Sequence, residues 1–209
     1  MTMRFPVTIK LPVANHLSGR RYTLVRASDL LGIPFSVERI VAICNESEVY
    51  DWLFRSLLEG RPYTQEKAQQ WLKWSSDGWT AGSHFSFAVI DEQSQVAAAC
   101  DIKSSDEMAE MGYWSSLSHR GVMTNTVTAV CALAAGGGFR GLFARTKKGN
   151  TKSQAVLRRA GFVCTGVETN GDDRFELVFS REHAQGGEPN HRLERTATGR
   201  RSSWSLGLK

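Results

Sequence analysis

The sequence of 209 residues lacks the features that mark several classes of protein. Its four cysteines form no C-x-x-C pair, and its five histidines show no spacing that suits zinc. No apolar run approaches the roughly 20 residues of a membrane-spanning helix. The first ten residues, MTMRFPVTIK, lack the apolar centre of a secretory signal. We therefore expect no metal site, no membrane contact and a cytoplasmic protein.

The net positive charge is also small in the part that should fold. The net charge is +5, but the segment from Arg181 onward has six basic and three acidic residues and so carries +3 of it. A nucleic-acid-binding module concentrates such charge on its folded part, so the distribution argues against nucleic acid as a partner. From about residue 184 the composition becomes rich in Gly, Ser and Arg, which predicts a disordered basic tail over 184–209. The alternative for this tail is an arm that binds an anionic partner.

What the sequence does contain is a series of helix and strand patterns. One strand and two helices come first, and the second helix starts at the capping residue Thr64 and ends at Gly78. The further patterns, in order, are strands at 84–90, 95–102 and 109–114, a helix up to glycines 136–138, a strand at 139–146, a helix at 149–162, and two strands around Asn170-Gly171. This order predicts a mixed α/β sheet with helices on both faces. We expect an N-terminal extension over 1–19 and one domain over 20–183.

A strand, a tight turn and a helix meet in the stretch GYWSSLSHRGVMTNTV, residues 112 to 127. A helix N-terminus exposes unpaired backbone N–H groups and the positive end of a dipole, so it attracts phosphate. Gly121 allows a ligand to approach the backbone closely, and Thr124 follows one turn later. On its own, this pattern also fits a turn that merely joins two pieces of core.

The surrounding motifs resemble the GNAT superfamily of acyl-CoA-dependent N-acetyltransferases, and the branch that includes the ribosomal-protein N-terminal acetyltransferases in particular. The strand EMGYW (110–114) and the turn RGVMT (120–124) correspond to motifs of that branch. Downstream, residues 150–162 match the family signature N-x-x-S-x-x-x-L-x-x-x-G-F in spacing throughout. The resemblance covers roughly residues 20–182. It implies a central twisted sheet of about seven strands, helices on both faces and a splayed cofactor-binding cleft.

The resemblance also implies an activity, the transfer of an acetyl group from acetyl-CoA to a primary amine by direct attack in a ternary complex. The amine would belong to a protein N-terminus or to a small molecule. The backbone of the strand would pair with the pantetheine arm, the amides of the turn would hold the pyrophosphate, and Asn150 and Ser153 would lie along the arm and near the sulfur. The implied cofactor-binding residues are Met111, Gly112, Tyr113, His119, Arg120, Gly121, Val122, Met123, Thr124, Asn150 and Ser153. For Asn150, a helix cap without cofactor contact is the alternative.

The turn departs from the family signature Q/R-x-x-G-x-G/A. Ser116 stands in the place of the basic or amide residue, His119 replaces the first glycine, and the segment is about two residues shorter. His119 could offer its amide or its ring to a phosphate, or it could block the site. Two alternative functions therefore stay open: a non-catalytic binding module with a degenerate cofactor turn, and a nucleic-acid-associated protein that acts through its tail.

Acetyl transfer to an amine needs a base for the amine proton and an acid for the leaving thiolate. Glu110 is the candidate base because it lies on the strand beside the expected thioester, and a solvent-facing strand carboxylate is its alternative. Ser153 or Tyr113 is the candidate acid, although Tyr113 also suits a packing role. The acceptor site would draw on the first two helices and the last hairpin, including Asp172-Asp173, while the tryptophans of those helices, Trp52 and Trp71, are expected in the core. The acceptor's identity stays open, and a homodimer is a further expectation.

Overall fold

A computed structural model describes residues 3–170 and 174–183, and it contains one mixed sheet of eight strands. Their order across the sheet is β1-β2-β3-β4-β5-β6-β8-β7. Neighbours are antiparallel except β5 and β6, which run parallel. The strands are β1 (Lys10–Ala14), β2 (Arg21–Arg26), β3 (Phe85–Ile90), β4 (Val96–Ile102), β5 (Met108–Ser115), β6 (Gly141–Lys147), β7 (Val163–Asn170) and β8 (Arg174–Glu182).

Helices cover both faces of the sheet, as predicted. They are α1 (Ser36–Cys44), the short α2 (Ser47–Val49), α3 (Gln65–Ala81), α4 (Val122–Gly136) and α5 (Thr151–Arg159). On the central strand β3 the alternation of side chains divides the core. Phe87 and Val89 pack with α4 and α5, while Ala88 between them packs with α1 and α3. Among the described residues, no helix is both long and apolar enough to cross a membrane.

The eighth strand comes from the segment that the sequence assigned to an N-terminal extension. Lys10–Ala14 pair antiparallel with β2, with Ala14 opposite Arg21. The strand is short, contains Pro12 and lies at the sheet edge, where a missing backbone N–H is tolerated. These features hide it from a periodicity analysis. The predicted tail and Asp172-Asp173 lie outside the described residues.

The helices before β3 differ from the prediction. The sequence pattern gave no sign of α1, and the first of the two predicted helices is replaced by α2 and a π-helical turn at Tyr50–Phe54. Thr64 is confirmed as a cap, because its side chain accepts a hydrogen bond from the Lys67 amide. The predicted end at Gly78 is wrong, since α3 continues to Ala81 and the left-handed Gly82 follows it.

Candidate active site

The sheet opens between β5 and β6, as the splayed cleft requires. Pairing ends at Glu110 and Phe143, although β5 continues to Ser115 and β6 to Lys147. Beyond that point the β5 backbone keeps its β4 partner, with Met111 opposite Ile102, but has no β6 partner. Its polar groups on that side are therefore free for a ligand that lies in the gap.

A continuous cleft of about 1250 Å³ occupies this gap. This is larger than the roughly 300–1,000 Å³ of an ordinary small-molecule pocket and suits a long ligand. Most of the residues proposed from the sequence line it: Glu110, Met111, Gly112, Tyr113, Arg120, Gly121, Met123, Thr124, Asn150 and Ser153. His119 and Val122 do not line it, because the His119 ring and the Val122 side chain are buried behind the turn.

Glu110 lies at the vertex where the two strands separate. Its side chain is only 11% exposed and forms ion pairs with Lys103 and Arg145. The alternative of an ordinary solvent-facing carboxylate is therefore wrong. Burial lowers the pKa of Lys103, and the charge of Glu110 opposes this effect. The arrangement holds a carboxylate in a fixed direction beside the exposed edge of β5.

Tyr113 and Ser153 form a hydrogen-bonded pair in the same cleft. The phenol oxygen lies 2.8 Å from the Ser153 hydroxyl, and the phenol donates to the Ser153 carbonyl at 3.1 Å. Burial raises the pKa of Tyr113, so the phenol keeps its proton at neutral pH. This pair brings together both candidate acids of the sequence.

Asn150 caps α5 and also faces the cleft. Its Oδ1 accepts a hydrogen bond from the Ser153 amide at 3.1 Å, as an N-cap residue does. The same residue contributes to the cleft wall. The two roles that the sequence left as alternatives are therefore compatible in geometry.

The turn before α4 presents an uncapped helix N-terminus. Gly121 is the N-cap with a φ of +98°, a conformation that favours glycine, and no side chain caps the helix there. The first-turn amides of α4 are thus open to an anion. Arg120 is exposed beside them, and Arg159, a cation that sequence reasoning missed, donates to the Thr124 hydroxyl at 3.3 Å.

His119 is not oriented for the phosphate contact that the sequence predicts. Its amide donates to the Ser116 carbonyl at 3.0 Å, and its ring nitrogen Nδ1 lies 3.0 Å from the Tyr22 hydroxyl. Burial, and then the positive charge of Arg39, lower the pKa of His119. A neutral imidazole therefore packs behind the turn and neither reaches nor blocks the cleft.

The cleft is also lined by charged side chains from several elements. Asp106, Glu168 and Glu176 are among them, and the Glu168 carboxylate forms an ion pair with Arg145 at 2.8 Å. Trp71 is buried in the core as expected, but Trp52 lines the cleft. The Trp52 ring packs close to Gly149, where an added Cβ atom would lie 3.3 Å from it. Helical spacing alone could not distinguish the two tryptophans.

Comparison with known proteins agrees with this geometry. A family model described as an acetyltransferase (GNAT) domain matches residues 34–163, more than half of the chain. No curated protein matches the sequence.

Several solved structures share the fold. RimL, a ribosomal L7/L12 α-N-protein acetyltransferase in complex with coenzyme A, aligns with a TM-score of 0.66 at 18% identity over 83% of this chain and 97% of its own. Mycobacterium smegmatis RimJ, solved with a CoA disulfide, gives 0.64 at 17% identity over 87% and 90%. The microcin C7 self-immunity acetyltransferase MccE, solved with acetyl-CoA and AMP, gives 0.63 at 15% identity over 78% and 92%. At these identities the likeness concerns the fold.

Proposed function

The chain belongs to the GNAT acetyltransferase family and transfers acetyl groups from acetyl-CoA to amines, and from that premise we propose that its acceptor is a protein N-terminus. The observation that carries the proposal is the continuity of the cleft. One opening is lined by the Gly121 turn, by Glu110, and by Glu168 and Glu176 of β7 and β8, so it offers room for an extended chain in addition to the co-substrate. Solved ribosomal-protein N-terminal acetyltransferases of the same fold support the same choice.

In the proposed reaction, the acceptor amine attacks the thioester directly in a ternary complex. Glu110 accepts the proton of the amine, either directly or through a water molecule. Its carboxylate is held by Lys103 and Arg145, and each of its oxygens keeps a lone pair for this purpose. Free backbone N–H groups of β5 beyond the splay point stabilise the oxyanion.

The leaving thiolate of CoA takes its proton from the pair of Tyr113 and Ser153. The phenol is protonated at neutral pH, and the serine hydroxyl connects it to the position that the family signature gives to the sulfur. The amides at the start of α4 bind the pyrophosphate, with Arg120 and Arg159 as nearby cations. Asn150 orients the pantetheine arm.

A cytoplasmic location is part of the proposal, and the four free cysteines support it because reducing compartments keep thiols unpaired. Self-association stays a prediction that gel filtration can test. The non-catalytic alternative is not favoured, since Glu110, Tyr113 and Ser153 all line one cleft. The nucleic-acid alternative depends on the tail, which lies outside the described residues.

Two measurements test the proposal in sequence. Calorimetry should show acetyl-CoA binding at micromolar concentration, and a folded protein that does not bind it would contradict the activity itself. A thiol-release assay should then show turnover with peptides that have a free N-terminus. The matched control is the same peptide with an acetylated N-terminus and an internal lysine. Turnover of small amines but not of peptides would contradict only the choice of acceptor.

A further inference from the structure

The tip of the hairpin between β1 and β2, residues Asn15–Arg20, packs directly against the turn before α4. We call this turn, residues 116–121, the cofactor turn. The Asn15 side chain donates from Nδ2 to the Arg120 carbonyl at 3.0 Å, and the His16 amide donates to the Gly121 carbonyl at 3.0 Å. We propose that Asn15 is a positioning residue that sets the affinity of the turn for the diphosphate of the co-substrate. This inference rests on the proposed function of the turn.

Both polar atoms of the Asn15 side chain form hydrogen bonds. It is 4% exposed, and its Oδ1 accepts hydrogen bonds from the amides of Leu17 at 2.8 Å and Ser18 at 3.1 Å. These bonds shape the hairpin tip, while the Nδ2 group holds the cofactor turn. One buried amide therefore connects two loops that are about a hundred residues apart in sequence.

The contact leaves no space at Gly121. A Cβ atom there would lie 2.5 Å from the Asn15 Oδ1 and 2.8 Å from the Leu17 Cγ. Such distances are too short for any side chain, so the glycine is required by the hairpin as well as by its φ of +98°. The hairpin thus holds the turn in close contact at Gly121.

The two hairpin bonds aim the amides of the turn. In a trans peptide the carbonyl and the following N–H point in opposite directions, and the described chain has no cis peptide. The bond to the Arg120 carbonyl therefore turns the Gly121 N–H away from the hairpin, and the bond to the Gly121 carbonyl does the same for the Val122 N–H. Hydrogen-bonded carbonyls also polarise their peptide groups, which strengthens the N–H groups as donors. Both effects favour an anion at the helix N-terminus.

The same contacts explain how a turn that departs from the family pattern can keep its shape. The Tyr22 hydroxyl, on β2 of the same hairpin, lies 3.0 Å from Nδ1 of His119, and the Asn15 side chain donates to the Arg120 carbonyl. The hairpin supplies fixed contacts to a segment that is shorter than usual and has a histidine in place of a glycine. It is therefore part of the binding site and not an appendage.

The test uses Asn15→Ser, whose hydroxyl can still accept from the Leu17 amide but is too short to reach the Arg120 carbonyl. We expect the KM for acetyl-CoA and the Kd for CoA to rise about tenfold, the effect of one lost hydrogen bond. The kcat and the KM for the acceptor should not change. With S-acetylpantetheine, which lacks the diphosphate, kcat/KM should equal the wild-type value.

The matched control is Asn125→Ala. It removes a 2.8 Å hydrogen bond from α4 to the Ala14 carbonyl of the hairpin but leaves Arg120 and Gly121 untouched, so acetyl-CoA kinetics should stay at the wild-type level. If Asn15→Ser does not fold, Asn15→Asp keeps the acceptors of the tip, loses the donor to Arg120, and should weaken CoA binding at least as much.

The outcomes distinguish the proposed function of the protein from the proposed role of Asn15. Wild-type protein that fails to bind CoA would overturn the proposed function and this inference together. Wild-type binding with an unchanged KM in Asn15→Ser would overturn the inference alone. An equal loss with acetyl-CoA and with S-acetylpantetheine would also overturn it, because such a loss indicates general disruption of the site.

Discussion

Arg145 donates from Nη1 to Oε2 of Glu110 at 2.5 Å, at the last residue pair that joins β5 to β6. Lys103 holds the other carboxylate oxygen from the end of β4. The carboxylate therefore cannot rotate freely. It lines the cleft at the point where β5 and β6 separate. A base that is held in this way is ready for the amine proton without further rearrangement.

We expect Glu110→Gln to lower kcat by about 100-fold at neutral pH, because an amide cannot accept the amine proton. The Kd for CoA should not change, since the cofactor turn is elsewhere in the cleft. Thiol release and calorimetry measure the two quantities. Glu107→Gln, the same chemical change at an exposed position outside the cleft, is the control and should have wild-type turnover. An unchanged rate in Glu110→Gln would exclude Glu110 as the base.

The motifs along β5 and at the start of α5 were sufficient to predict the family, the splayed sheet and most of the cleft wall. They were not sufficient to predict the partners of those residues. Lys103 and Arg145 reach Glu110 from neighbouring strands, and no local spacing relates the three positions. Tyr22 meets His119 across 97 residues of sequence. Such contacts depend on the register of strands, which a single sequence does not specify.

Asp101 should make the stability of the protein depend on pH. It is buried in β4, and its Oδ1 has no hydrogen-bond partner in the described protein. Burial raises the pKa of Asp101 from 3.8 to about 6, although the Ser86 hydroxyl and the Lys103 charge partly oppose this. Between these values the folded state binds the additional proton, so stability falls as the pH rises through the window. The charged form costs about 3 kcal/mol at pH 7.

Asp101→Asn removes this cost because it stays neutral. Its free energy of unfolding, relative to the wild type, should rise by about 2 kcal/mol between pH 4 and pH 7. Urea denaturation at several pH values measures the difference. A profile for Asp101→Asn that stays parallel to the wild type over this range would mean that ionisation of the buried aspartate does not destabilise the fold.

Glycine at position 78 should stabilise the fold although it lies inside a helix, where alanine is normally preferred by about 1 kcal/mol. A Cβ there would lie 2.2 Å from the His84 ring, which stacks on Trp74 with ring centroids 3.9 Å apart. We expect Gly78→Ala to lower the free energy of unfolding by about 1–3 kcal/mol. Gly136→Ala, where the added Cβ meets nothing within 4 Å, should be neutral or slightly stabilising. Adding His84→Ala should restore part of the loss.

Asn150 can be tested for two roles with two substitutions. Serine is also a good N-cap, so Asn150→Ser should keep the stability within about 0.5 kcal/mol of the wild type. It lacks the amide, so the KM for acetyl-CoA should rise up to about tenfold. Asn150→Ala should lose about 1 kcal/mol of stability in addition. A wild-type KM in Asn150→Ser would leave the residue with its capping role alone.

His119 occupies a position where the family pattern has glycine, and the structure predicts that restoring the glycine is harmful. His119 is 6% exposed and its ring bonds to the Tyr22 hydroxyl, so His119→Gly leaves a cavity and a buried hydroxyl without its partner. We expect a loss of about 2–4 kcal/mol in the free energy of unfolding. CoA should also bind more weakly, because a flexible turn must be ordered when the phosphates bind. Denaturation and calorimetry on the same sample measure both effects. Tighter CoA binding by His119→Gly would show instead that the histidine restricts the site, and the hairpin would then have to be regarded as a constraint on the turn and not as its support.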